Sequence, residues 1–349
     1  MKRRTFLTSM LAAAAATSLS ESVFSKSLAP FKLYDTHAHF YTNEADKYPF
    51  NAKGARYGAE RMIAKAMATP MKPEVIFKWW DEVGIEMGCG VQYNSTYSTD
   101  NRYLLDISAK YPKRIVPVVI LAPTDPETPA MLARMAKENH ISGVRFTGSP
   151  DPSGNFVFLS DAALPAWEAA DKLGLVIVLM PLGNQVQQAM KRVGELAARY
   201  PNVNIVLDHI GFPKPQELPA TFGLTTDHLA LAARKNVYYK YTTLLIEQVQ
   251  EAKVPINDFM RHMVGVYGAD HIVWGSDIGN SEVDLVEYVR RALDSTEGLP
   301  LSQRKDVFYN TAKKVFVPGG RGAARARVAA ARDNYFAAPR LYSRGLTPN

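Results

Sequence analysis

The sequence predicts a single α/β domain, a (β/α)8 barrel, and three observations carry that expectation. Eight short apolar, β-branched runs alternate with segments of helical spacing between residues 31 and 316. Each run is apolar nearly throughout, as a parallel strand buried on both faces must be. No glycine-rich turn follows the first run, which weakens the main rival, a doubly wound open sheet. Eight strand–helix alternations in under 300 residues fit one barrel.

The first strand, expected over 32–35, continues the apolar run from Phe31 to Tyr34. A long insertion over 41–72, rich in Tyr, Ala and Met, follows it, and such loops commonly shape a site. A helix over 73–83 carries Trp79 and Trp80, which are expected to pack against the barrel wall. The second strand, 87–93, contains the lone cysteine, Cys89, which reads as core and excludes an internal disulfide. A helix over 102–111, a strand over 115–121, a helix over 129–138 and a strand over 143–146 complete the first half. The second half reads as helix 162–173, strand 176–180, helix 185–200, strand 204–208 and helix 227–234. Strand 237–241, helix 256–267, strand 271–275, helix 282–293 and a final helix over 302–315 end the pattern.

Both ends of the chain fall outside this body. Residues 1–27 combine Arg3-Arg4, a small-apolar stretch from Leu11 to Ala16 and a Ser/Thr-rich exit, the layout of a twin-arginine signal. That predicts export by the twin-arginine machinery to the periplasm after folding, with the mature chain starting near residues 25–30. Residues 317–349 form an Arg/Ala-rich tail, expected to be a short helix over 323–331 or disordered. The first 27 residues carry +3 and the tail +5 of the total charge of +7, leaving about −1 for the body. The basic balance is thus no argument for nucleic-acid binding. No apolar run after the N-terminus is long enough to span a membrane.

In such a barrel the active site is built where the strands end. Strand 1 ends in Asp35-Thr36-His37-Ala38-His39, and alternation on a strand sends His37 and His39 to one face. Paired imidazoles suit a divalent metal or a shared anionic atom. Strand 4 ends with Arg145 and Thr147, strand 6 with Asp208-His209, strand 7 with Lys240 and Thr242, and strand 8 with Trp274-Gly275-Ser276-Asp277. His37, His39, His209 and Asp277 therefore converge from three strands. Tyr93 and Asn94 at the end of strand 2, with Asn101 beyond them, form a second tier of mouth residues. His140, His228, His262 and His271 fall elsewhere and read as structural.

This set resembles the amidohydrolase superfamily, specifically its amidohydrolase-2 branch, from about Leu33 to Phe316. The resemblance rests on Asp35-Thr36-His37-Ala38-His39, Gly143-Val144-Arg145-Phe146, Val206-Leu207-Asp208-His209-Ile210-Gly211, Val273-Trp274-Gly275-Ser276-Asp277 and Asn310-Thr311-Ala312. It implies a hydrolase whose site is lined by His37, His39, His209 and Asp277, these four being the expected ligands of one divalent ion, zinc before others. Two departures narrow the branch. Met180 stands at the end of strand 5 where many members hold a histidine, and Arg145 stands where binuclear members hold a carbamylated lysine. The pattern is closer to lactonases, some of which work without a metal, so a bound ion and a metal-independent site both stay open.

The expected reaction is hydrolysis of a lactone or related cyclic ester. Such a reaction needs a base for water and positive groups at the developing oxyanion. Asp277 is the expected base, with His209 as the second catalytic group and His37, His39 and His209 polarising the carbonyl. Arg145 offers a planar fork for a substrate carboxylate or an ion pair to Asp208. With Lys240, Tyr93 and Asn94 it makes the expected substrate-binding set, which favours an acidic lactone. The alternatives are a metal-dependent decarboxylase of an aromatic or muconate-type acid, a lactone isomerase, and a binding protein on a decayed barrel. A small molecule is the expected partner, and a homo-oligomer is compatible with the sequence.

Overall fold

A computed structural model describes residues 27–317, apart from 56, 184–185 and 281–283. The expected signal segment up to residue 26 and the tail from 318 lie outside the described residues.

Eight parallel strands follow one another around a sheet in chain order. They are β1 (Leu33–Ala38), β2 (Ile85–Val91), β3 (Ile115–Ile120), β4 (Gly143–Gly148), β5 (Val176–Pro181), β6 (Asn204–Leu207), β7 (Val237–Thr242) and β8 (Ile272–Gly275). The ring closes where β8 leaves the sheet: the Asp277 amide donates to the His37 carbonyl at 2.8 Å and the His39 amide to the Ile278 carbonyl at 2.9 Å. Closure therefore happens at the two sequence stretches that carry the candidate site.

Alternation divides the strand side chains between two apolar layers. Tyr34, Met87, Cys89, Val91, Val116, Val118, Val178, Val206 and Val273 fill the barrel. Leu33, Val144, Phe146, Ile177, Leu179, Ile205, Leu207 and Trp274 pack outward under the helices. Trp80 is fully buried in that outer layer and Trp79 packs against it, as expected.

The helices before the first crossover are α1 (Ala59–Ala68), inside the long insertion, and α2 (Pro73–Val83). Next come α3 (Arg102–Lys110), α4 (Thr128–Glu138), α5 (Leu164–Leu173), α6 (Ala189–Arg199) and α7 (Thr226–Ala230). After β7 stand α8 (Thr243–Glu251) and α9 (Ile256–Tyr267), and after β8 α10 (Leu285–Asp294), α11 (Leu301–Lys305) and α12 (Thr311–Phe316). The last expected helix is thus two helices joined by a π turn over Asp306–Asn310. Helix α12 plugs the end of the barrel where the strands begin: Phe316 and Val315 join the interior layer, and the Phe316 carbonyl accepts from Ser142 Oγ at 2.6 Å. The opposite end is left for the site.

Helices α1 and α8 were not expected from the sequence. Helix α1 (AERMIAKAMA) is made of good helix formers inside what reads as a loop. Helix α8 starts on the residue after β7 ends, so no turn residue separates them.

Candidate active site

His37 reaches the interior because β1 is irregular. Tyr34 points into the barrel and Ala38 outward, although strict alternation puts residues 34 and 38 on one face. The register shift between Asp35 and Ala38 changes the parity, so His37 and His39 turn inward. Asp35 secures this bend. Its carboxylate accepts from the amides of His37 (2.9 Å) and Ser276 (2.8 Å) and from Ser276 Oγ (2.5 Å), tying β1 to β8. Burial pushes the Asp35 carboxyl upward, and these donors work against that rise.

His209 and Asp277 are presented by sharp turns at their strand ends. Both have left-handed backbone, φ 54° and 59°, as do Ile210 and Phe212 beside His209. Non-glycine residues held there cost about 1–3 kcal/mol each and persist where the surroundings over-determine them. The Asp277 amide bond to His37 and the packing of buried Ile210 provide that constraint.

Three donor atoms meet at the mouth. His37 Nε2 lies 3.2 Å from His39 Nε2 and 3.5 Å from Asp277 Oδ1, and His39 Nε2 lies 3.3 Å from the same oxygen. His39 Nδ1 donates to the Val91 carbonyl at 2.9 Å, which orients the ring with Nε2 toward the other two atoms. Asp277 Oδ2 accepts from Asn280 Nδ2 at 3.0 Å, and Asn280 Oδ1 accepts from the Tyr93 hydroxyl at 2.9 Å. The Tyr93 ring stacks on His39 with centroids 4.3 Å apart. Burial works to raise the Asp277 carboxyl, but His39 and His209 outweigh it and hold the group below its ordinary value. Asp277 is therefore a carboxylate. Burial, then the Lys240 charge, hold His37 well below its ordinary value, so it is neutral.

This triangle fits a divalent ion. Edges of 3.2–3.5 Å match the ligand-to-ligand edge of about 3.3 Å in a tetrahedral centre with bonds of about 2.0–2.1 Å. His37, His39 and Asp277 are the metal-competent group found among the described residues. His209 stands beside them rather than within that group: its ring stacks on His37 at 5.9 Å, and its Nδ1 lies 2.6 Å from Thr242 Oγ1. Burial brings His209 down to about 4, so it too is neutral near pH 7.

The expected substrate-binding residues are placed differently from one another. Arg145 and Lys240 project into the barrel, almost wholly buried, and both engage Asp208: Arg145 Nε donates to Oδ2 and Lys240 Nζ lies 2.9 Å from Oδ1, each at 2.9 Å. Arg145 also contacts Met180 Sδ. Asp208 Oδ1 is 3.6 Å from His37 Nδ1. Burial opposes ionisation of Asp208, yet Lys240 and Arg145 bring it down to about 2. Tyr93 lines the site, whereas Asn94 leans on Gly54 of the insertion. Asn101 braces the chain instead, donating to the Ile120 carbonyl at 2.8 Å and accepting its amide at 2.9 Å.

A cavity of about 360 Å³ opens from Asp277, Tyr93 and Asn280. Its walls are Arg61, Met62 and Lys65 from α1, Leu244 and Glu247 from α8, and Tyr288 from α10. None of these wall residues stands at a strand end, where the barrel pattern in the sequence points. The i, i+4 spacing of Arg61 and Lys65 was the available signal. His228 supports the site from behind, its Nε2 lying 3.1 Å from the Gly211 carbonyl.

The chain belongs to the amidohydrolase family, whose amidohydrolase-2 model matches residues 34–317, and is an enzyme of that superfamily. A curated relative, the L-fucono-1,5-lactonase of Burkholderia ambifaria, is 28% identical over 191 residues, 51% of this chain and 60% of the relative. The match thus spans less than two thirds of that protein. Among solved structures, a putative 2-pyrone-4,6-dicarboxylic acid hydrolase from Pseudomonas putida superposes with a TM-score of 0.64 at 23% identity, covering 82% of this chain and 97% of that one. An amidohydrolase from Burkholderia multivorans with bound zinc gives 0.64 at 17% identity, covering 82% and 99%. A dihydroxybenzoic acid decarboxylase from Polaromonas with bound manganese gives 0.60 at 16%, covering 82% and 96%. At these identities the superpositions establish the barrel.

Proposed function

We propose that this enzyme hydrolyses lactones, with one divalent ion held by His37, His39 and Asp277 and His209 beside them. The observation that carries the proposal is the ionised Asp277 lining a small cavity, with the Nε2 atoms of His37 and His39 both within 3.5 Å of its Oδ1. The lactonase relative and the pyrone hydrolase likeness support the same reading. When bound, the ion polarises the ester carbonyl and lowers the pKa of water.

The side chains divide the remaining work. Asp277 accepts the proton of the attacking water, and Asn280 holds its second oxygen in place. His209, neutral, steadied by Thr242 and stacked on His37, assists the transfer of that proton to the leaving alkoxide as the ester opens. Tyr93 covers His39 and offers a flat wall to a ring substrate. Met180 at the end of β5 supplies no histidine ligand, which weighs against the decarboxylase alternative despite the decarboxylase likeness.

The test is elemental analysis of purified protein, then a lactone panel assayed by acid release with and without chelator. One divalent ion per chain and chelator-sensitive acid release are expected. Carbon dioxide from an aromatic acid, or interconversion of lactones without acid release, overturns the proposal. We also propose the twin-arginine route: replacing Arg3 and Arg4 together by lysine is expected to abolish periplasmic accumulation in fractionated cells.

A further inference from the structure

Tyr93, expected among the substrate-binding residues, donates its hydroxyl proton to Asn280 Oδ1, 2.9 Å away. The same carboxamide donates from Nδ2 to Asp277 Oδ2 at 3.0 Å. A carboxamide is an acceptor on one side and a donor on the other, so these two bonds fix which way round it stands. The two oxygens of Asp277 are thereby given different partners. Asn280 holds Oδ2, and Oδ1 meets the Nε2 atoms of His37 and His39 at 3.5 and 3.3 Å.

The Tyr93 ring is seated by contacts that do not involve its hydroxyl. It stacks on His39 at 4.3 Å and on Tyr41 with centroids 5.9 Å apart. The Tyr41 hydroxyl donates to the Gly279 carbonyl at 3.2 Å, so both tyrosines grip the turn from Asp277 to Asn280. The Asn280 amide closes that turn on the Asp277 carbonyl at 3.3 Å. Gly279, at φ 91°, packs its backbone so closely that a Cβ would come within 2.6 Å of the His39 carbonyl oxygen. The backbone of the turn is thus set without Tyr93. The Asn280 side chain is not: among the described residues, Tyr93 is the donor to its Oδ1. Held at both ends the carboxamide cannot rotate, and without the phenol hydroxyl only the bond to Asp277 restrains it.

We propose that Tyr93 is a positioning residue: acting through Asn280, its hydroxyl fixes which oxygen of Asp277 faces the two histidines. Its effect on metal and turnover rests on the proposed function; the link from Tyr93 to Asn280 does not. Tyr93→Phe keeps the ring stack and removes the hydroxyl. Hydrogen exchange of the Asn280 side-chain amide is read by NMR on the purified enzyme, the signal being assigned by its loss in Asn280→Ala. Exchange is expected to quicken about tenfold in Tyr93→Phe. An unchanged rate overturns the proposal whether or not the enzyme binds zinc or opens a lactone. Competition with a chromophoric chelator is expected to show zinc bound about tenfold more weakly by Tyr93→Phe and by Asn280→Ala, with no further loss in the double variant. With a lactone, kcat is expected to follow the same pattern while KM stays unchanged. Losses that add in the double variant, or a rise in KM alone, would make Tyr93 an independent contact and overturn the proposal. A wild type that binds no zinc and hydrolyses no lactone overturns the proposed function, and the exchange rate then decides the link.

Discussion

At the scale of single residues, Asp277 combines strain, charge and position. Its left-handed backbone is a conformation that asparagine tolerates well, so Asp277→Asn removes the negative charge without disturbing the turn. The variant is expected to keep wild-type circular dichroism while kcat falls by about 10²–10⁴-fold and bound metal is lost. Activity within tenfold of wild type would remove Asp277 from the base role. Asp35 makes the contrasting case, because it faces the barrel seam and not the cavity. Asp35→Ala leaves the buried amides of His37 and Ser276 without their acceptor, at about 1–3 kcal/mol each. Urea unfolding is expected to show a loss of about 2–6 kcal/mol, and an unchanged midpoint would refute the clamp.

At the scale of elements, the strands were legible because each is an apolar run buried on both faces, and the helices over 73–83 and 256–267 stand where their spacing placed them. His37, His39 and Asp277 were legible because strand ends collect chemistry in this fold. The inward direction of the histidines was not, since it depends on the register shift in β1 and on its clamp to β8. Helices α1 and α8 escaped notice for local reasons, one being embedded in a long insertion and the other fused to a strand. They are also the elements that shape the cavity, so the substrate pocket was the least readable part of the molecule. The seam itself has a strict demand: a Cβ on Gly275 would come within 2.6 Å of His37 Cβ and 3.0 Å of its amide nitrogen. Gly275→Ala must push β8 away from β1 and displace Asp277 with it. Activity is expected to fall at least about tenfold together with thermal stability, since a misplacement of about 1 Å in a site costs up to 10²-fold. A variant with wild-type melting and turnover would show that the seam gives way without cost.

At the scale of the whole molecule, the barrel interior changes character along its axis, from the apolar plug of α12 through the Arg145–Asp208–Lys240 layer to the histidines and Asp277. The middle layer sets the charge state of the one above it, because Lys240 and Arg145 add to burial in keeping His37 neutral. It also stores stability with a definite pH signature. Asp208 is depressed to about 2, so the favourable contribution of its ionised form is complete above the unfolded carboxylate range, near 4, and is lost as pH falls through about 2. Lys240→Met keeps the length of the side chain but leaves Asp208 fully buried with Arg145 alone. Breaking a buried pair from one side costs about 3–5 kcal/mol, because the charge left behind is under-compensated. With one cation gone, burial raises the Asp208 carboxyl, and protonation relieves the penalty at mildly acidic pH. Urea unfolding of the two proteins is therefore expected to differ most at pH 7 and distinctly less at pH 4, where wild type still holds Asp208 ionised and the variant does not. A deficit of equal size at both pH values would mean that Lys240 acts through packing, and that the charge layer is not what Asp208 depends on.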